Sequence, residues 1–509
     1  MITPRPLTLA FRSLGLLAAL AGTHLAGLAA AAAPASAARP NIVLLYADDM
    51  GVGDVAILNP DSKIRTPHLD RLARDGLRFT DAHSSSGVCT PSRYALLTGR
   101  FHWRKFHGIV NSFGPPSFDA ELTLPALLKT QGYRTACIGK WHLGWDWRAI
   151  MRPGAKPDPA TGYAPADFDW TQPIPGGPRA RGFDYYFGDD VPNFPPYAWF
   201  ENDRVITTPS VPLAITAQTA EGNWESRPGP MTPGWDFHAV MPRLTERTVA
   251  WIAEQRGRPE PFFLYVPFTS PHAPIVPSPE FAGKSKAGGY GDWVEQTDAD
   301  VGRILAALKA NGFAENTLVV FSADNGAERY AYERIRNFAH RSSGPLRGMK
   351  RDLWEGGHRV PFIVRWPGVV PKNETTAALV SQVDLMATLA NVAGFTLPAG
   401  SAEDSYDLLP VLKAGAPSPR RTIVHNTNAG SYALRHDEWL LVAAKTGGIT
   451  KVPAWFDDAN GYAAHAEPGE LFDLARDPAQ RENLYAQRPG KVAELTALLA
   501  HTRAHGQVR

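Results

Sequence analysis

Four apolar runs in the first two-thirds of the chain share one design, and each ends in polar residues. The first is Asn41-Ile-Val-Leu-Leu-Tyr-Ala-Asp-Asp49. A continuous run of that length predicts a parallel strand buried on both faces. Tyr133 to Gly139 predicts a second strand and delivers Lys140, Trp141 and His142. Pro261 to Phe268 predicts a third, delivering Ser270-Pro271-His272-Ala273-Pro274, and Thr317 to Ser322 a fourth, delivering Asp324-Asn325-Gly326. Ligands of open α/β sheets gather beyond the carboxyl ends of strands. A solvated strand end accounts for any one of these polar groups, but four together point to a shared site.

Apolar residues at helical spacing lie between the strands. They predict helices over Leu69 to Leu77, Leu122 to Gln131 and Trp293 to Lys309, the last carrying Val294, Val301, Ile304, Leu305 and Leu308 and closed by Asn311-Gly312. Val360 to Arg365 predicts another strand, turned at Pro367-Gly368, and Val380 to Ala393 a helix packed back on the first domain. Residues 145–182 and 193–235 are rich in Pro, Gly, Trp and Asp without a period. Long irregular insertions of this kind are commonly lids or binding loops. Their tryptophans either stack on a sugar or aryl ring or pack locally.

A Pro/Gly/Ser-rich link from Ala414 to Pro419 marks a boundary, giving an N-terminal catalytic domain over 38–414 and a small α+β domain over 415–509. In the latter, Thr422 to His425, Ser431 to Leu434 and Trp439 to Ala444 predict antiparallel strands, and Val492 to His505 a terminal helix. At the other end, Arg5 and Arg12 precede an Ala/Leu-rich run from Leu14 to Ala33 and the small-residue pattern Ala35-Ser36-Ala37. The run approaches a membrane span in length, but the cleavage pattern predicts a signal peptide over 1–37 and an exported protein, periplasmic or secreted, without membrane insertion afterwards.

Composition excludes more than it specifies. In 509 residues, 44% hydrophobic and 20% charged describe an ordinary globular chain. A formal net charge of +2 without a basic block argues against nucleic acid as partner. Two cysteines cannot supply a disulfide framework, and Cys137, inside the apolar run Tyr133 to Ile138, is expected as a buried free thiol.

The chemistry concentrates at Cys89-Thr90-Pro91-Ser92-Arg93-Tyr94-Ala95-Leu96-Leu97-Thr98-Gly99-Arg100. Pro91 suits a first helical position, Ser92 to Thr98 complete about two turns, and Gly99 is the stop. Cys89 then sits where unpaired N–H groups and the helix dipole lower a thiol pKa and favour a tetrahedral oxyanion. Arg93 and Arg100 on the same element suit sulfate or phosphate oxygens. Asp48, Asp49, Asp324 and Asn325 offer only oxygen ligands, which suits Ca²⁺ or Mg²⁺, and no clustered Cys/His spacing of the zinc kind is present. Lys140, His142 and His272 add positive charge and proton donors near the same point. Lys350, in Leu346-Arg-Gly-Met-Lys350, reads on its own as a solvated surface lysine.

The string Cys89-Thr90-Pro91-Ser92-Arg93 with Leu96-Leu97-Thr98-Gly99-Arg100 resembles the signature of the type I, formylglycine-dependent sulfatases. Asn41 to Asp49, Gly139 to Gly144, Ser270 to Pro274, Ala323 to Gly326, Leu346 to Gly357 and Glu470 to Leu474 look like arylsulfatase-family blocks in the family's order. The resemblance spans essentially the whole chain after the leader. It implies an alkaline-phosphatase-like α/β fold: a large mixed, mostly parallel sheet flanked by helices, plus a smaller C-terminal antiparallel sheet with a helix.

It also implies that a formylglycine-generating enzyme oxidises Cys89, and that the aldehyde hydrate attacks the sulfur of a sulfate monoester to form a covalent sulfo-enzyme intermediate. Asp48, Asp49, Asp324 and Asn325, with the modified Cys89, would hold the cation, usually calcium. Arg93 would steady the modified residue, Lys140 would hold sulfate and Asp324 would help activate the nucleophile. His272 and Lys350 would bind substrate and protonate the departing alcohol, and His142 would help the second hydroxyl collapse and expel sulfate. The alternatives are a phosphate or phosphonate monoester hydrolase of the same superfamily and a non-catalytic sugar-binding relative. The alcohol, whether aryl, galactose, galactosamine or glycosaminoglycan, is set by the two irregular insertions.

Overall fold

The computed structural model describes residues 39–213, 221 and 226–505. The leader expected over 1–37 lies outside the described residues. Within them, no helix is long and apolar enough to cross a membrane.

The large sheet has ten strands: β1 (Asn41–Ala47), β2 (Leu77–Phe79), β3 (Arg134–Lys140), β4 (Tyr185–Asp190), β5 (Phe200–Glu201), β6 (Arg204–Val205), β7 (Phe262–Pro267), β8 (Thr317–Ala323), β9 (Phe362–Arg365) and β10 (Glu374–Thr376). Their spatial order is β10-β2-β9-β8-β1-β7-β3-β4-β5-β6. The four strands expected from the apolar runs form its centre, as β8-β1-β7-β3, and are mutually parallel. β9 runs antiparallel to both β8 and β2, and the β4-β5-β6 edge is antiparallel too, so the sheet is mixed.

β1 shows why a continuous apolar run was needed. Ile42, Leu44 and Tyr46 face one core, while Val43, Leu45 and Ala47 face the other. On the first face lie the helices α1 (Cys89–Thr98) and α2 (Leu124–Thr130), with a helix over Leu385–Val392. The second face is covered by helices over Pro67–Arg74, Val240–Ala253 and Gly288–Ala310. Burial on both faces stabilises each apolar side chain of β1 by about 1.5–3 kcal/mol.

Several boundaries differ from the sequence reading, each for a local reason. The Cys89 helix begins at Cys89 itself, leaving Pro91 third; proline is tolerated there because first-turn N–H groups lack intrahelical partners. Gly99 ends it as expected, with φ at 68°. The helix expected over Val380 to Ala393 is a short strand, a tight turn and then Leu385–Val392, because the Asp384 carboxylate accepts from the Ser381 N–H (2.9 Å) and caps the turn. The helix expected to end at Leu77 stops at Arg74, and Leu77 starts β2 instead. The helix expected from Trp293 begins at Gly288.

The second sheet has four antiparallel strands, β11 (Thr422–Asn428), β12 (Ser431–His436), β13 (Trp439–Val442) and β14 (Glu470–Asp473). The terminal helix (Pro489–His505) covers it through Leu495 and Leu499. Phe101 and Trp103, just after α1, enter the same core and join the second sheet to α1. Trp145, Trp147 and Trp170 are buried in the first core, so these insertion tryptophans pack locally. Both cysteines are buried and free, Cys137 as expected.

Candidate active site

The carboxyl ends of β8, β1, β7 and β3 lie side by side, and the turns leaving them meet the N-terminus of α1. Two of these turns hold non-glycine residues in the left-handed region, Asp49 at φ 64° and His142 at φ 53°. Such conformations cost about 1–3 kcal/mol each and cluster where geometry serves function. Gly139, at φ 138°, lets β3 bulge one residue before Lys140; a Cβ there would sit 2.0 Å from the Pro267 carbonyl oxygen.

Around Cys89 three carboxylates and three cations interlock. Lys140 Nζ donates to Asp48 Oδ2 at 2.6 Å. Arg93 donates to Asp324 Oδ2 through Nε (3.0 Å) and Nη2 (2.8 Å), and Nη2 is 3.6 Å from Asp48 Oδ1. Lys350 Nζ lies 2.7 and 2.8 Å from the two oxygens of Asp49. Lys350 is only 3% exposed, so the surface reading of this lysine is corrected: the chain after β8 folds it back onto Asp49. The Asp49 N–H donates to Asp324 Oδ1 (3.1 Å), and Asn325 Nδ2 to Asp49 Oδ1 (2.7 Å).

The histidines have defined tautomers. His142 Nε2 lies 3.0 Å from the Val110 carbonyl, which only accepts, so Nε2 carries the hydrogen. Nδ1 of His142 is then a buried lone pair without a partner among the described residues. His272 Nδ1 likewise donates to the Ala273 carbonyl (2.6 Å), leaving Nε2 as a lone pair 3.7 Å from Asp49 Oδ2. Burial lowers both: His272 falls to about 3, and His142 well below the usual histidine range, with Lys140 and Arg93 adding to the effect. Burial pushes Lys350 down, but Asp49 outweighs it and holds the ammonium charged.

One expectation is overturned. The helix N-terminus was expected to lower the Cys89 pKa; burial instead pushes the thiol up to about 11, against the pull of Lys140 and Lys350. Cys89 as it stands is a protonated thiol and a weak nucleophile. Burial also raises Asp324, yet Arg93, Lys140 and Lys350 together hold it below the usual carboxylate range.

The donor set fits a hard cation. One oxygen or sulfur each from Asp48, Asp49 and Cys89 and a nitrogen of His272 lie within 4.8 Å of one another. Asp48 Oδ1 and Asn325 Oδ1 are buried without hydrogen-bond partners among the described residues. The Asp324 carboxylate is turned to Arg93 and touches this group through the Asp49 N–H. With three carboxylates balanced by three cations, a divalent ion would leave a net charge of +2, which favours an anionic ester.

A cavity of about 480 Å³ opens above Cys89, lined also by His142, His272 and Lys350. Its outer wall holds residues that no sequence signal singled out: Asn193, Phe194 and Arg227 from the second irregular insertion, Glu328 and Arg351, and Thr427 from β11. Arg227 stacks over the Phe194 ring at 3.7 Å, and Arg351 pairs with Glu328 (2.6 Å). Adjacency to Lys350 was the only hint for Arg351, and for Asn193, Phe194 and Arg227 the hint was the insertion as a whole. Arg100, the second arginine of the Cys89 motif, pairs instead with Glu403 (2.8 Å). A larger cavity of about 720 Å³, lined by Leu58, Arg341, Asn460 and Arg481 among others, contains none of the expected site residues.

Comparison with known proteins gives the family of the chain. A family profile described as Sulfatase matches residues 40–395. An N-acetylgalactosamine-6-O-sulfatase of Bacteroides thetaiotaomicron is 32% identical over 91% of this chain and 92% of its own. The steryl-sulfatase of Mus musculus is 34% identical over 99% of this chain and 87% of its own. A protein solved in a study of glycosaminoglycan metabolism by Bacteroides thetaiotaomicron superposes with a TM-score of 0.76 at 30% identity, covering 92% of this chain and 100% of that one.

Proposed function

This chain belongs to the sulfatase family and hydrolyses sulfuric esters, and from that premise we propose that it removes sulfate from a carbohydrate, using a nucleophile made from Cys89. The family match decides for sulfate over phosphate esters, and for catalysis over sugar binding alone. Conversion of Cys89 to formylglycine would supply a hydrated aldehyde whose hydroxyl attacks sulfur, and a hard divalent ion, Ca²⁺ or Mg²⁺, held by Asp48, Asp49, Asp324, Asn325 and the modified Cys89 would offset charge on the sulfuryl oxygens.

The chain's own residues then have distinct tasks. Lys140 and Arg93 present positive charge to the sulfate oxygens and the nucleophile. Asp324, held ionised by Arg93, helps take the proton of the attacking hydroxyl. Lys350, the buried ammonium with protons to give, donates to the departing alcohol oxygen, and His272 binds that oxygen beside it. His142, with its unpaired Nδ1, accepts the proton of the second hydroxyl when sulfate leaves.

The observation that carries the carbohydrate reading is the cavity wall. Asn193, Arg227, Arg351 and Thr427 offer hydrogen bonds and positive charge to a polar or acidic sugar, and the Bacteroides relative acts on an N-acetylgalactosamine sulfate. We assign the chemistry to residues 38–414 and one wall of the cavity, through Thr427, to 415–509. The leader over 1–37 directs export to the periplasm or beyond, and maturation requires a formylglycine-generating enzyme in the host. A substrate panel tests the reading. Sulfate release from N-acetylgalactosamine 6-sulfate should exceed release from estrone sulfate in kcat/KM by at least tenfold; the reverse ranking would overturn it.

A further inference from the structure

Three histidines far apart in sequence converge in the interior, outside the cavity over Cys89. His83 ends the short strand Ala82–His83, His358 ends the helix Glu355–His358, and His425 lies in β11. Their exposures are 0%, 0% and 1%.

The hydrogen bonds fix their tautomers. His83 Nε2 lies 2.8 Å from an oxygen of Asp81, and His358 Nε2 lies 3.2 Å from the Leu353 carbonyl. Both partners accept, so each Nε2 carries a hydrogen, and a ring without a second proton keeps its lone pair on Nδ1. Those two Nδ1 atoms face each other at 3.0 Å. Two lone pairs at that distance repel unless a cation lies between them, either a shared proton or a metal ion. His425 stacks on His358 with ring centroids 3.4 Å apart, and neither of its nitrogens has a hydrogen-bond partner among the described residues. One nitrogen from each ring falls within 4.8 Å of the others.

We propose that His83, His358 and His425 form a second metal site, which takes a borderline transition-metal ion such as Zn²⁺ and ties β11 to the short strand Ala82–His83 and the helix Glu355–His358. Ligand chemistry separates it from the oxygen-rich site at Asp48 and Asp49. Neutral imidazoles suit zinc and neighbouring transition metals but not Ca²⁺ or Mg²⁺. The nearby charges already balance: Asp81 and Glu355 are matched by Arg359 and Arg435, with Arg359 at 2.8 Å and Arg435 at 3.0 Å from Asp81. A metal-ligating histidine usually donates its other N–H to a carboxylate or a backbone carbonyl, as His83 and His358 do. Zn–N bonds of about 2.0–2.1 Å in a tetrahedron place neighbouring nitrogens roughly 3.3 Å apart. The His83–His358 separation is close to that; the His425 ring has to turn out of its stack to bring a nitrogen in. A water completes four ligands, and binding releases the shared proton.

Metal counting on the full chain tests this. Protein stripped with chelator is given Zn²⁺ in excess Ca²⁺, competed with a chromophoric chelator, and its zinc counted by mass spectrometry. A parallel Cys89→Ala sample removes the sulfur that could hold zinc at the catalytic site. The proposal expects one zinc per chain in both samples, an X-ray absorption spectrum with imidazole nitrogens and no sulfur, and loss of that zinc in His358→Asn and His425→Asn. Asp81→Asn, which removes the carboxylate behind His83 and with it the charge partner of Arg359 and Arg435, should weaken zinc binding by about 10–100-fold. No zinc retained by either sample, or a sulfur-containing shell, would show that the histidines share only a proton and overturn the site. Should the histidine variants not fold, the spectrum of the Cys89→Ala protein decides alone.

Discussion

Arg93 donates to a single oxygen of Asp324 through both Nε, at 3.0 Å, and Nη2, at 2.8 Å, and neither side chain is exposed at all. The pair fastens α1 to the end of β8. Arg93→Met should strand a buried carboxylate and cost about 3–5 kcal/mol. The expected outcome is a clear fall in Tm together with loss of turnover. Unchanged Tm would mean that this pair is not holding helix and strand together.

Asp49 contacts Lys350, Asn325 and, at 3.7 Å, His272. Asp49→Asn removes one of the proposed cation ligands and the partner that keeps Lys350 charged. Turnover should fall by about 10²–10³, the range for losing one preorganised charge-stabilising group. Wild-type activity should also be lost to chelators and restored by Ca²⁺ or Mg²⁺. Indifference to chelation would remove the hard-cation assignment.

Arg227 lies at the cavity wall, away from the carboxylate cluster, and rests on Phe194. Arg227→Ala should raise KM for a sulfated sugar about tenfold, near 1.4 kcal/mol, while kcat stays close to wild type. A loss confined to kcat would instead place Arg227 in the chemistry.

His102 is buried and neutral, held down to about 3 chiefly by burial, with Nε2 donating to Asn426 Oδ1 at 3.3 Å. The unfolded chain takes up this proton below about pH 6.5, its ordinary value, while the folded chain resists until about 3. Stability from this residue is therefore present above pH 6.5 and lost as pH falls from 6.5 toward 3. In urea melts between pH 7 and 4, His102→Gln should flatten the acid-side fall relative to wild type. Identical slopes would contradict the assignment.

The central four strands and the polar residues they deliver were legible in the sequence because a strand buried on both faces needs an unbroken apolar run. Asp48, Asp49, Lys140, His272, Asp324 and Asn325 follow such runs directly. Lys350 follows none, and its role came into view through family resemblance before Asp49 was found beside it. Arg227 and Thr427 reach the cavity from an irregular insertion and from the second sheet, so no local spacing marks them. The Cys89 pKa was misjudged because a helix terminus is visible in sequence while the burial that outweighs it is not. The same limit hid His83, His358 and His425, which are brought together only by tertiary packing.

In the proposed function Cys89, a protonated thiol as encoded, becomes the nucleophile by modification. Peptide mass spectrometry across Cys89, on active protein made with a formylglycine-generating enzyme, tests it most directly. An aldehyde or its hydrate is expected at that position, in proportion to the specific activity of each preparation. An unmodified thiol in a fully active preparation would contradict it.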